Sequence, residues 1–205
     1  MNLLVDDLPT VVCGAPVRTD YRYMVLLEQL LKDPEMSGTE KIGAALDLLY
    51  IRQPAASLKE AWDGLLWFYR CGESNEYRQS SAPQRSDRPV YDFDQDAAYI
   101  YAAFRQVYGI DLQAGPLHWW AFRALLGSLP DSCLMGRIMG WRATDTRKLK
   151  GAEKRHVEKM QRLFAIKGRS AGHALTLAEQ EAAYKAWVDE RFRAAEEWMA
   201  QKPVK

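Results

Sequence analysis

The sequence predicts a mostly α protein: a compact multi-helix bundle with a short N-terminal β-hairpin and a long C-terminal amphipathic helix. Three observations predict it. Apolar residues return every three or four positions in one segment after another, the spacing that lines up a helix face. Ser57 and Thr176 each stand three residues ahead of a glutamate, Glu60 and Glu179, the capping-box pattern of a helix start. Strand signals are confined to residues 8–18.

In chain order, Val11, Val12 and Val17 favour extended backbone around Gly14, and Pro16 strengthens the turn between them. Thr19 and Asp20 are placed to cap a helix over Tyr21–Lys32, with Met24, Leu27 and Leu31 on one face. A second helix covers Glu40–Tyr50, with Ile42, Leu46 and Leu49 as its stripe. Pro54 interrupts, and a third helix follows Ser57, carrying Trp62, Leu65, Leu66 and Tyr69 and closed by Gly72. Residues 73–89 lack a core pattern and are rich in Ser, Arg and Gln, which reads as a mobile exposed loop.

Helical periodicity resumes at Asp92 or Asp94 with Ala97, Ile100, Tyr101, Phe104, Val107 and Tyr108, and ends at Gly109. Leu117–Leu129 is apolar almost all round and so belongs at the centre of the fold. Past Pro130 and Asp131, a short helix holds Leu134, Ile138 and Trp141. Ala152–Ile166 reads as an amphipathic helix, with Val157, Met160, Leu163, Phe164 and Ile166 inward and a basic outer face. The last helix runs to about Ala200 with Tyr184, Trp187, Val188, Ala195, Trp198 and Met199 on one side and Phe192 nearby. At 1.5 Å per residue it is a rod of roughly 35 Å. Residues 1–142 are expected to form the core domain, and residues 143–205 an appendage that docks on that core or on a partner.

The 205 residues carry 28 basic and 27 acidic side chains, a formal charge of +1, and are 48% hydrophobic. A chain of this size buries roughly 70% of its unfolded surface, so disorder throughout is excluded. Its charge balance excludes a surface that is basic all over. Cys13, Cys71 and Cys133 form no CxxC pair and read as buried free thiols in a reducing cytosol. No two of His118, His156 and His173 are three or four residues apart, so no helix offers a paired metal site, and neither metal nor cofactor is expected. Asp6 and Asp7 stand where a secretory signal needs basic residues, and the longest apolar run near the middle, Leu65–Tyr69, is far short of the ~20 residues that cross a bilayer. The expected location is the cytoplasm, without membrane contact.

Asp92, Asp94 and Asp96 resemble the opening of a calcium loop, but Ala97 and Ala98 replace its glycine turn and Ala103 stands at its twelfth position. They read instead as a negative helix start, complementary to the helix dipole. His118 falls on an apolar helix face, with no nucleophile or acid patterned near it, and reads as a core histidine. Arg123, four residues after Trp119, can cover its indole. With no Gly-rich phosphate loop, serine elbow or zinc motif, an enzyme is not expected. Residues 142–169 hold ten Lys or Arg against three acids. Lys148, Lys150, Lys154, Arg155, Lys159 and Arg162 could neutralise phosphates. The apolar stripe beneath them disfavours nucleic acid, and an acidic protein partner fits at least as well. On the last helix Tyr184, Trp187, Phe192 and Trp198 are the candidate partner-binding residues, suited to the groove of a partner or of a second copy of the chain.

Two stretches are distinctive: Tyr91-Asp-Phe-Asp-Gln-Asp-Ala-Ala-Tyr-Ile-Tyr-Ala-Ala-Phe-Arg-Gln-Val-Tyr-Gly-Ile-Asp-Leu112 and Leu117-His-Trp-Trp-Ala-Phe-Arg-Ala-Leu-Leu-Gly-Ser-Leu129. With the N-terminal strand, Gly14, strand and Thr19-Asp-Tyr-Arg22 pattern, they make residues 8–142 resemble the "gene product fifteen" family of tailed bacteriophages and prophages. Tyr91, Asp92, Asp96, Tyr99, Tyr101, Phe104, Tyr108, Gly109, Asp111, His118, Trp119, Trp120 and Phe122 form the core of that motif. The resemblance implies a non-enzymatic protein of the siphophage tail module, whose genes typically lie between the tail-tube genes and the tape-measure gene. Tail-assembly chaperones are encoded there. The implied partners are phage tail proteins, with the tape-measure protein favoured, and the alternative is a structural tail component retained in the virion.

Overall fold

The computed structural model describes residues 2–73 and 89–167, which fall into two compact units on either side of that break. Among the described residues there are seven α-helices and one two-stranded antiparallel hairpin, so the predicted mostly helical class with an N-terminal hairpin is what the chain adopts. Most of the predicted mobile loop, residues 74–88, and the long C-terminal helix lie outside the described residues.

In the first unit, β1 (Val11–Val12) pairs with β2 (Ala15–Pro16), Val11 opposite Pro16 and Val12 opposite Ala15. Cys13 and Gly14 turn the chain with φ of 49° and 72°, the pair of left-handed residues that matches a two-residue hairpin to the twist of its strands. Helices α1 (Tyr21–Lys32), α2 (Gly38–Leu49) and α3 (Leu58–Tyr69) follow. The Asp20 carboxylate caps α1 by accepting from the Arg22 amide at 2.9 Å.

Helix α2 begins before the predicted Glu40 because Ser37 and Glu40 form a complete capping box; Tyr50 caps its other end. Arg18 closes that end as well, its guanidinium donating to the carbonyls of Asp47 at 2.6 Å and Tyr50 at 2.8 Å. A cation there answers both the unpaired carbonyls and the negative end of the dipole. Val17 bridges to Tyr50, and the Arg18 amide donates to Leu49 O at 2.7 Å, so the hairpin's exit strand is tied to α2.

The core of this unit is Met24, Leu27, Ile42, Leu46, Leu49, Trp62, Leu65 and Phe68, all buried. Leu31, predicted to share the stripe of Met24 and Leu27, is 40% exposed in the last turn of α1. On α3 the innermost ring is Phe68, while Tyr69 stays half-buried and donates its hydroxyl to Glu28 on α1. Gly72 does close α3, sharing the left-handed exit with Cys71.

The second unit holds α4 (Ala97–Tyr108), α5 (Trp119–Gly127), α6 (Leu134–Ala143), a 3-10 turn at Thr146–Lys148, and α7 (Gly151–Leu163). Helix α4 starts later than predicted, since Asp92 to Asp96 form a separate turn. It ends at Gly109, left-handed at φ 68°. Helix α5 is shorter than the predicted Leu117–Leu129 and is not buried all round: Trp119, Trp120, Phe122 and Leu126 face inward while Ala124 and Gly127 are exposed. On α6 the buried stripe is Met135, Ile138 and Arg142, and Leu134 is 37% exposed. On α7 Val157 is buried, but Leu163, predicted to face inward, is 68% exposed. No helix among the described residues is long and apolar enough to cross a membrane.

Gly64 sits where a Cβ would come within 2.6 Å of Cys13 Sγ, 2.8 Å of the Tyr50 hydroxyl and 2.8 Å of Val12 Cγ1. Gly64→Ala is expected to push the hairpin off α3 and lower stability by about 1–3 kcal/mol, read as a fall in the urea midpoint. Glu40 and Glu60 are held below their ordinary carboxyl value of 4.5 by the serine hydroxyl and then the serine amide of each capping box. A lowered folded value gives stability that is complete above the ordinary carboxyl range and is lost as pH falls through the folded value. Ser37→Ala with Ser57→Ala should therefore flatten the decline in melting temperature between about pH 5 and pH 3 relative to the unaltered protein.

Candidate functional site

The motif residues converge in the second unit, and the structure shows what each one does. A chain of rings runs through its core. Tyr91 meets Phe93 at 5.0 Å between centroids, Phe93 meets Trp119 and Phe122 at 6.2 and 6.0 Å, Trp119 stacks on Phe122, and Phe122 stacks on Phe104 at 5.0 Å. Tyr108 closes the row edge-on against Phe104 and donates its hydroxyl to Leu125 O at 2.8 Å, joining α4 to α5; burial raises the phenol above its ordinary value. Arg123 lies over Trp119, as its spacing predicts, and also over Tyr91, whose hydroxyl accepts from its Nη1. Tyr99 and Tyr101, by contrast, are both 37% exposed; Tyr99 meets Phe164 edge-on and Tyr101 donates to Asp111 at 3.1 Å.

The polar motif residues shape backbone. Asp92 Oδ1 accepts from the amides of Asp94 and Gln95 at 2.9 and 3.0 Å, fixing the turn ahead of α4. Asp111 accepts from the Gln113 amide, Tyr101 and Arg105, and the Gln113 bond above all holds its carboxyl below the ordinary value. His118 is not on an apolar helix face. It precedes α5 as its N-cap, with Nδ1 accepting from the Trp120 amide at 3.1 Å, which puts the neutral ring's proton on Nε2. No group of three or more His, Cys, Asp or Glu among the described residues is placed to hold a metal ion.

The residue that sequence reasoning missed is Arg142, read there as the first member of a basic run. It is buried, and it pairs bidentately with the fully buried Asp96 at 2.5 and 3.0 Å. Its remaining donors reach Val90 O at 3.0 Å and Phe164 O at 2.8 Å, and Asp96 also accepts from the Asp92 amide. The signal lay in its position, in register with Met135 and Ile138 on an otherwise apolar stripe. Around it Trp141 stacks on Phe164 at 5.6 Å, and Gln161 donates to the carbonyls of Trp141 and Thr144. Outward from this packing, α7 presents Arg155, Lys159 and Arg162 on its exposed face.

Among the described residues, an open groove belongs to the first unit. The groove, of about 700 Å³, runs between the hairpin (Val11, Val12, Cys13) and the face of α3 that carries Glu60, Asp63, Gly64 and Trp67, with Ala55 and Ala56 beside it. Positions 60, 63, 64 and 67 share a helix face by spacing. Val11 is 54% and Trp67 38% exposed, two large apolar side chains in one concavity. Of the cysteines expected to be buried only Cys133 is; Cys71 is half-buried, and Cys13 is exposed because it sits in the hairpin turn. Cys13 Sγ contacts Glu60 O at 3.4 Å, and Tyr50, whose hydroxyl donates to Ala61 O, is pushed above its ordinary range by burial and then by Cys13. The sequence signal here was the glycine inside the third helix's apolar pattern, which marks close backbone approach. Tyr184, Trp187, Phe192 and Trp198 lie outside the described residues.

A family model described as Bacteriophage Gp15 protein matches residues 5–166, beyond the 8–142 in which the resemblance was legible. No curated protein and no solved structure matches the chain. The matched range includes α7, which Arg142, Gln161 and Phe164 tie into the second unit.

Arg142→Ala leaves Asp96 as an unpaired buried charge and is expected to cost about 3–5 kcal/mol, read from urea unfolding followed by tryptophan fluorescence. Arg142→Lys should recover only part of that, because an ammonium cannot reproduce the planar fork. His118→Ala should cost about 1 kcal/mol, and His118→Asn, which keeps an acceptor at the cap, should restore most of it.

Proposed function

The chain belongs to the bacteriophage Gp15 family, and from that premise we propose that it is a non-enzymatic tail-morphogenesis protein, an assembly chaperone for the tape-measure protein, acting in the host cytoplasm. The observation that carries the reading is an open groove on a small helical scaffold in which Val11 and Trp67 are exposed. A concavity that exposes two large apolar side chains can seat an anchor side chain of a protein partner. A tape-measure protein is long and coiled, and its apolar seams stay uncovered until the tube assembles around it. A helical, aromatic-rich binder can cover such seams reversibly. In the second unit the buried Asp96–Arg142 pair, the Asp92 and His118 caps and the Asp111 cluster each hold backbone in place, which agrees with a binding role rather than a reactive one.

A second reading, binding of nucleic acid, is favoured by one observation, the exposed Arg155, Lys159 and Arg162 on α7. It requires binding that falls steeply with salt. Retention in the virion as a structural component is distinguished by the presence of the chain in purified particles.

Co-expression with the neighbouring tape-measure gene tests the leading reading. The expected outcome is more tape-measure protein in the soluble fraction, and the two proteins purifying together. Unchanged solubility with no co-purification counts against it.

A further inference from the structure

We infer that the groove of the first unit selects a partner helix carrying a bulky apolar side chain flanked by lysine or arginine. The inference rests on the reading of the chain as a protein binder and adds the chemistry of what it binds.

Two properties of the groove carry it. The first is that it is open and built on fixed parts. Gly64 lets the hairpin sit directly on α3, and the left-handed Cys13–Gly14 turn holds Val12 and Cys13 against it. A small molecule in so open a concavity would leave much of its surface in water, whereas ligand pockets bury most of theirs. A helix laid along the groove can seat one side chain between Val11 and Trp67 while the rest of it stays outside.

The second property is charge. Among the described residues, the two charged ones that line the groove are acids, Glu60 and Asp63, one turn apart on α3, and no lysine or arginine lines it. The Ser57 capping box engages Glu60 through Oε2 and thereby fixes where this carboxylate stands. The same contacts keep it ionised at neutral pH. Asp63 is exposed. Two negative charges, one of them fixed, beside Val11 and Trp67 attract cationic flanks, repel acidic ones and repel phosphate. A nucleic acid is thereby disfavoured as the occupant.

Cys13 supplies the readout, being an exposed thiol in the groove wall, with Cys71 as an internal control outside the lining set. The full chain is alkylated with N-ethylmaleimide in the presence of one of two synthetic helical peptides. They share the same leucine anchors and differ only in lysine or glutamate flanks. The lysine peptide should slow alkylation of Cys13 about fivefold more than the glutamate peptide at low salt, a modest ratio because exposed ion pairs are weak, and leave Cys71 unchanged. Asp63→Lys should cancel or invert the preference, and Trp67→Ala should abolish protection by either peptide.

Equal protection by both peptides, or none, overturns the inference. So does slowing of Cys13 alkylation that grows with protein concentration alone, which would make a second copy the occupant. The two readings fail separately. If Asp63→Lys and Trp67→Ala leave tape-measure co-purification intact, the groove inference falls and the chaperone reading stands. If the peptides discriminate while the tape-measure protein does not co-purify, the reverse holds.

Discussion

A guanidinium and a carboxylate taken out of water together are tolerable only when further hydrogen bonds compensate the lost hydration, and the Asp96–Arg142 pair gains them by recruiting backbone from three places. Arg142 reaches Asp96 at the start of α4, Val90 ahead of it, and Phe164 just past α7. Asp96 in turn receives the Asp92 amide. The second unit's first and last described segments are thereby fastened to α6. The row of rings from Tyr91 to Tyr108 packs within that frame, and most of the motif aromatics are accounted for as its core.

The first unit depends on a steric constraint instead. Its hairpin has only two residues per strand and would be marginal alone. It gains support from Arg18 on the end of α2, from the Val17–Tyr50 bridge, and from lying close on α3 at Gly64. The groove is the outer margin of that contact, so the features that stabilise the unit also create its concave surface.

Helix number and order were largely legible, because period and caps are local signals. Ile42, Leu46 and Leu49 are buried as their spacing indicates, and Arg123 covers Trp119. What failed was non-local. Leu31, Leu134 and Leu163 obey helical period yet lie on turns or faces that the neighbouring helices leave uncovered, which spacing within one helix cannot reveal. His118 was placed inside a helix because Leu117 extended the apolar run, whereas its ring accepts the Trp120 amide and starts the helix after it. Arg142 looked like one more surface cation; its burial follows from Asp96, 46 positions earlier in the chain. The groove assembles from the hairpin, a loop and α3, and the one local signal of it, Gly64 inside the third helix, went unread. The aromatic residues of the last predicted helix lie beyond the described residues, so the groove is the proposed partner surface that geometry can address.

Glu60 has two tasks at once, closing the first turn of α3 and lending its charge to the rim of the groove. Asp63, one turn along, has only the second. On the proposed reading of the groove, drift toward a new binding preference is channelled through position 63, where a change of sign is structurally cheap. Position 60 stays pinned by the helix it begins, so related lineages should diverge in specificity at the former and agree at the latter.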